Sequence, residues 1–228
     1  MSHHPRYAVI PTHNRPEHLT RCVASLADQV DLIYVIDNAS DPPVDVSRRV
    51  HHNQIRIIRD NEQPPNLSRL WNVGLNHVAA MAAVLKQTQW DVGIFNDDTV
   101  VPTGWFHSVA TALRAHPTAI VSHTHTYGDQ HRAMRFSDGN TPMMIDERMC
   151  AWAFVTRGEC GLRSDESMRW WWFDTDWEIR ARQMGGVLAI PGAPVPNLAA
   201  NSTTVGELAE QAGRDRARYA EIHGGNPW

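Results

Sequence analysis

Lysine is nearly missing from this 228-residue chain: Lys86 is the only one, so the basic residues are almost all arginine. A guanidinium matches phosphate and carboxylate as a planar fork, so the bias suits phosphate recognition, although a genomic preference for arginine codons would produce it too. Acidic residues outnumber basic ones 25 to 21, for a net charge of −4. That balance argues against a duplex nucleic-acid binder, which needs a basic surface. Cysteine is sparse: Cys22, Cys150 and Cys160 are an odd number without metal-type spacing. They read as reduced thiols in a cytoplasmic protein. No apolar run approaches the roughly 20 residues that span a bilayer, and the N-terminus lacks the apolar segment of a signal peptide. Internal repeats and low-complexity tracts are absent, and His3 and His4 form no recognisable metal motif.

What is present is a chain with 42% apolar and 20% charged residues, enough for the core of one large α/β unit or two small ones. Tyr7–Pro11 reads as a first strand, followed by a polar turn and a helix opened by Pro16, a favoured first-turn residue. Leu32–Ile36 and Ile55–Arg59 read as further strands. A long helix is expected from about Ser68 to Lys86, and another from Trp105 to His116. Strands alternating with helices predict a mostly parallel sheet with right-handed crossovers. Between Ser122 and Asp146 the pattern fails, and irregular or antiparallel structure is expected there.

The most informative segment is Trp90-Asp91-Val92-Gly93-Ile94-Phe95-Asn96-Asp97-Asp98-Thr99. A short apolar run bounded by polar residues reads as a buried strand. The carboxylates just past its C-terminal end lie where open α/β sheets bind ligands. Hard oxygen donors there suit Mg²⁺ or Mn²⁺ carrying a diphosphate; the alternative is a plain polar turn. Asp37 also closes a predicted strand, so parallel strands would bring it to the same crevice. Further on, Trp170-Trp171-Trp172-Phe173 leads into Asp174-Thr175-Asp176 and a helix. Helix N-termini stabilise carboxylates, so one of these acids, Asp176 in particular, could be only a cap. Neighbouring side chains point in different directions, so three consecutive tryptophans cannot all enter one core.

Taken in order, these segments resemble the inverting nucleotide-sugar glycosyltransferases of family 2, which have the GT-A fold. Tyr7 through Arg15 resembles the opening strand and loop. Val35-Ile36-Asp37-Asn38-Ala39-Ser40 resembles the second-strand signature, whose Asp contacts the donor base. Asn72-Val73-Gly74-Leu75 is similar to the Asn-x-Gly segment before the metal strand. Asn96-Asp97-Asp98 falls on the metal-binding Asp-x-Asp position, with Asn in first place as in rhamnosyl- and galactofuranosyl-transferase-like members. Gly161-Leu162, Asp174-Thr175-Asp176 and Arg180 fit the later Gly-Leu and Glu-Asp-x-Asp…Arg pattern. Tyr219 through Gly225 resembles a C-terminal aromatic–Gly-Gly element. Two positions depart: Phe173 replaces the Glu of Glu-Asp, and Asn197 stands where many members carry a metal-binding His.

The resemblance implies one GT-A-like catalytic domain over residues 1–228, a Rossmann-like, mostly parallel sheet flanked by helices. Residues 1–100 would bind the nucleotide sugar, 101–200 would form an acceptor side with a small antiparallel or irregular region, and 201–228 a helical tail. The implied reaction is metal-dependent, inverting sugar transfer from a UDP-, GDP- or dTDP-sugar to a glycan, carrier-linked glycan or protein hydroxyl. Asp174 would be the base, and Asp98 with Asn197 would hold Mn²⁺ or Mg²⁺. Pro11, Thr12, Asn14, Arg15, Asp37, Asn72, Asn96 and Asp97 would bind the donor. Trp171, Trp172, Asp176 and Trp177 would meet the acceptor. The competing readings are a nucleotidyltransferase of related architecture, a catalytically impaired sugar- or nucleotide-binding relative, and a phage-type modified-DNA glycosyltransferase.

Overall fold

A computed structural model of the protein describes residues 4–46, 54–125, 133–141, 148–149, 151–198 and 206–225. Part of the Ser122–Asp146 stretch, and Cys150, lie outside them. In chain order the elements are strand β1 (Arg6–Thr12), helix α1 (Pro16–Leu26), strands β2 (Leu32–Asn38) and β3 (Ile55–Asp60), and helix α2 (Leu67–Val84). Strand β4 (Asp91–Phe95), helix α3 (Trp105–Ala115) and strands β5 (Val121–Thr124), β6 (Arg135–Ser137) and β7 (Ala153–Arg157) follow. Helix α4 (Phe173–Met184), strand β8 (Val187–Ile190) and helix α5 (Glu207–His223) complete them.

The helices form where an apolar stripe recurs at helical spacing. On α1 the stripe is Leu19, Cys22, Val23 and Leu26, behind Pro16 in the first turn. On α2 it is Leu70, Trp71, Leu75 and Val78, and the Asn66 side chain caps the start by accepting from the Arg69 N–H. The strands join in one sheet of order β3-β2-β1-β4-β7-β5-β8-β6. Pairings are parallel except where β7 meets β4 and β5 and where β6 meets β8. Strand alternation divides the core: Ala8 and Ile10 face the cluster under α1 and α3, while Tyr7 and Val9 face the one under α2 and α4. Gly74 lets α2 lie close against β1, because a Cβ there would sit 2.2 Å from Val9 Cγ1.

The expected mostly parallel α/β sheet flanked by helices is therefore what forms. The sequence reading missed β7, whose first four residues are buried and show no alternation. Its insertion between β4 and β5 supplies two of the three antiparallel pairings of the sheet. Strand order reverses at β1: β2 and β3 lie on one side of it, β4 on the other. Such a switch point opens a crevice beyond the carboxyl ends of the strands. Here β4 pairs with β1 only as far as Val9, while β2 follows β1 to Thr12. This divergence explains how a central strand carries Pro11, which has no N–H for a ladder bond.

Candidate active site

Two loops face each other across the β1/β4 opening, Thr12–Arg15 and Asn96–Asp98. The Asn96 backbone is fixed from three directions: its N–H donates to Trp152 O at 3.0 Å, and its carbonyl accepts from Thr99 Oγ1 at 2.8 Å and Cys22 Sγ at 3.4 Å. Burial pushes the Cys22 thiol up to about 12, so it stays a neutral donor supporting this turn. Asp97 is 6% exposed and Asp98 5%. The Thr12 hydroxyl donates to Asp97 Oδ2 at 2.7 Å. Arg15 Nη1 lies 3.5 Å from Asp97 Oδ1 and 3.1 Å from Asp98 Oδ2. Burial raises the Asp97 carboxyl above its ordinary range, against the opposing pull of the Thr12 hydroxyl and the Arg15 guanidinium.

Asp98 Oδ1 is the telling atom. It is buried and has no hydrogen-bond partner among the described residues. A carboxylate oxygen taken from water and left unpaired is costly, whereas a cation in the crevice would satisfy it. Asn197 is brought alongside: its backbone bridges Thr99, and Leu198 N–H donates to Asp98 O at 2.9 Å. No group of three His, Cys, Asp or Glu side chains that could enclose a metal occurs among the described residues. A buried carboxylate oxygen without a partner, as at Asp98, is the kind of hard donor that suits a hard cation also ligated by substrate oxygens.

The other expected donor residues are distributed less simply. Asp37 reaches the same edge, its Cα paired with Thr12, but it is only 1% exposed. Its carboxylate accepts from Ser40 N–H at 3.0 Å, Val44 N–H at 3.4 Å and Arg59 Nη1 at 2.9 Å. Arg59, unanticipated, is the partly exposed member of that pair. Asn14 ties the first two loops together, its Oδ1 accepting from Asp41 N–H at 2.8 Å. Pro11 is buried in the strand. Asn72 is buried and clamps a distant loop, giving and receiving bonds with the Ser164 backbone and donating to Glu166 Oε1 at 2.7 Å.

Around α4 the structure sorts the acids and tryptophans. The N-cap position is Trp172, with a left-handed φ of 67° and no side-chain cap bond, so neither Asp174 nor Asp176 is the cap. Asp174 is half-buried at the second helical residue, and burial raises its carboxyl, partly offset by Arg148 and by N–H bonds of the first turn. Asp176 is turned inward at 1% exposure, held by Arg180 Nη1 at 3.1 Å and His223 Nε2 at 3.0 Å. Trp177 is fully buried, its ring 5.8 Å from that of Trp71 and 5.8 Å from that of Phe154. Asp176 and Trp177, expected to meet an acceptor, are both enclosed here, because residues 175–178 are buried all round this turn of α4. Trp170, Trp171 and Trp172 are half-buried, and Trp172 leans on Tyr219 with ring centroids 5.2 Å apart.

Glu178 was also missed. It is buried at 2% exposure, accepts from Met149 N–H at 3.2 Å, and burial pushes it up to about 7. Arg148 lies between the acids, donating to Thr175 Oγ1 at 2.7 Å with its Nε 3.8 Å from Glu178. Strained backbone gathers at this edge: of the four non-glycine residues with positive φ among the described residues, Asn14, Ala39 and Trp172 lie on the loops just described.

The sequence model of Glycosyl transferase family 2 matches residues 7–165, from β1 through the Asn-Asp-Asp turn to beyond β7. The chain belongs to glycosyl transferase family 2. It is accordingly a glycosyltransferase. Among solved structures, a mannosyltransferase from Pyrobaculum calidifontis, PcManGT in complex with GDP-Man and Mn²⁺, superposes with a TM-score of 0.60 at 12% identity, covering 99% of this chain and 78% of that one. A 4-diphosphocytidyl-2C-methyl-D-erythritol synthase superposes with a TM-score of 0.52 at 11% identity, covering 90% of this chain and 96% of that one. At such identities these neighbours show the GT-A-like fold alone. No curated protein matches the sequence. No helix among the described residues is long and apolar enough to cross a membrane.

Proposed function

We propose that this glycosyltransferase moves a sugar from a nucleotide-sugar donor to an acceptor hydroxyl with inversion, assisted by a divalent cation. The observation that carries this reading is the orphaned Asp98 Oδ1, buried beside Asp97 at the β1/β4 switch point. Asp98, with Asn96 and the amide oxygen of Asn197, would hold Mn²⁺ or Mg²⁺. Such a cation neutralises charge on a diphosphate leaving group. The mannosyltransferase neighbour was solved with GDP-Man and Mn²⁺, which supports a nucleotide-sugar donor and a metal here.

The chain's own residues do the rest. Thr12 fixes the orientation of Asp97, and Arg15 offers a cationic fork at the crevice mouth. Asp37, buried behind the exposed Arg59 that it holds, would act on the donor base through that pair. Asp174 accepts the proton of the attacking hydroxyl, and a base on the face opposite the leaving group gives inversion. Trp171 and Trp172 offer aromatic faces to a glycan, carrier-linked glycan or protein acceptor. By its Asn-first motif at Asn96 the chain resembles rhamnosyl- or galactofuranosyl-transferase-like members, and a dTDP- or UDP-linked donor of that kind belongs in the test below. The synthase neighbour keeps a nucleotidyltransferase in view, but the Pro11–Arg15 loop lacks the glycine-rich phosphate cradle that such chemistry uses.

The test is a panel of UDP-, GDP- and dTDP-sugars with and without Mn²⁺, read by thermal stabilisation and donor hydrolysis. A donor at about 100 times its Kd raises stability by about 2.7 kcal/mol. One nucleotide class should stabilise the protein only with metal and be turned over, and Asp98→Ala should lose both effects. Near-normal activity of Asp98→Ala in EDTA would overturn the metal assignment.

A further inference from the structure

Helix α5 reaches back to the tryptophan loop through one buried carboxylate. Asp215 is 0% exposed and accepts from three consecutive peptide N–H groups: Arg169 at 3.0 Å, Trp170 at 2.8 Å and Trp171 at 3.0 Å. Gln211 Nε2 donates to it at 2.7 Å. Arg214 donates twice to Gln211 Oε1, at 3.0 and 2.8 Å, which turns the amide NH₂ toward Asp215. The loop is gripped from the other side by α2, where Leu67 N–H donates to Arg169 O at 2.8 Å and Asn66 Nδ2 to Glu166 O at 2.9 Å. One turn further along α5 Tyr219 packs on Trp172, and a second turn on His223 bonds Asp176.

We infer that α5 is part of the acceptor side of the site, with Asp215 a positioning residue that holds the Trp170–Trp171 backbone so that the indoles present a fixed face to a carbohydrate acceptor. The inference rests on the sugar-transfer reading above. Three charge-assisted bonds on one carboxylate fix both the height and the twist of the loop. Asparagine cannot replace it, because its NH₂ would face an N–H donor. The Trp171 indole N–H is itself buried without a partner among the described residues, an arrangement that a rigid loop can sustain.

The experiment compares the whole wild-type protein with Asp215→Asn by amide hydrogen exchange over residues 169–171. It also measures turnover of the nucleotide-sugar panel with Mn²⁺, using water or 4-nitrophenyl glycosides as acceptor. Asp215→Asn should speed exchange at these amides by about tenfold or more. Donor affinity and hydrolysis should stay within about threefold, while the KM for the glycoside rises by about tenfold. Should Asp215→Asn fail to fold, Gln211→Ala, which removes a single bond, must show the same split at smaller size. Unchanged exchange, a proportional fall of hydrolysis and transfer, or a wild type that hydrolyses donor yet uses no glycoside overturns the inference. A wild type inert toward every donor overturns the sugar-transfer reading instead, and the exchange result still decides whether Asp215 holds the loop.

Discussion

Replacing Asp174 with asparagine keeps the side chain's shape and its capacity to accept the first-turn N–H bonds of α4, and removes its basicity. Positioned general bases are worth about 10²–10⁴-fold in rate, or about 3–5 kcal/mol of barrier at ~1.36 kcal/mol per decade. The structure adds a second signature. Burial raises the Asp174 carboxyl above its ordinary value of 3.8, and Arg148 and the helix N–H groups only partly reverse this. The base works ionised, so wild-type turnover should fall as pH drops through this raised value, and the variant should lack that acid limb. Stability moves the other way. A carboxyl whose folded value is raised stabilises the fold below its unfolded value and loses that contribution as pH rises through the folded one. At neutral pH the ionised Asp174 therefore opposes folding, and Asp174→Asn should be at least as stable as wild type. Steady-state donor turnover across the acid-to-neutral range, beside melting curves of both proteins, checks all three points. An undiminished kcat, or an acid limb kept at the same pH, would refute Asp174 as the base.

Asn96→Ala should be milder than Asp98→Ala, lowering donor affinity more than turnover, since an amide is a weaker ligand than a carboxylate; titration of donor against each variant decides this. Trp177→Ala should lose about 3–5 kcal/mol of stability, as large aromatic truncations in packed cores do, and an unshifted urea midpoint would place Trp177 outside the core. Trp171→Ala should keep its fold and donor hydrolysis while transfer to the acceptor weakens; equal loss of both would remove Trp171 from the acceptor face. Glu178→Gln tests the buried acid. Its folded value of about 7 lies above the ordinary 4.5, so its stabilising contribution, present at low pH, is lost as pH rises through 7. The glutamine variant should therefore gain on wild type, by on the order of 3 kcal/mol at most, between about pH 5 and about pH 8, read from urea midpoints at both ends.

Much of the fold was legible locally. Strands β1, β2, β3 and β4 and helices α1, α2 and α3 each announce themselves by apolar periodicity and by clear stops at polar turns, and their alternation implies parallel pairing. Parallel pairing then sends Thr12, Asp37 and Asn96–Asp98 to one edge without further information. Strand β7 was not legible, because its four buried residues, between strands on both sides, carry no alternation, and its partners β4 and β5 are distant in sequence.

The site divides along the same line. Residue type and strand-end position sufficed to mark the Asn-Asp-Asp turn and the acid-rich start of α4. Which side chains turn inward depended on packing between elements far apart in the chain. Trp171 and Trp177 are both tryptophans near one helix start, yet one is half-buried on a loop and the other is enclosed by Trp71 and Phe154. Asp37 spends its carboxylate on Ser40, Val44 and Arg59, and Asp176 on Arg180 and His223. Asp215 meets the tryptophan loop across 44 to 46 residues. Sequence alone thus determined the sheet edge and the chemistry gathered there, because both follow from local periodicity and strand direction. Tertiary structure alone decided which of those groups remain available, because burial and hydrogen-bond partners are set by long-range contacts that no local pattern encodes.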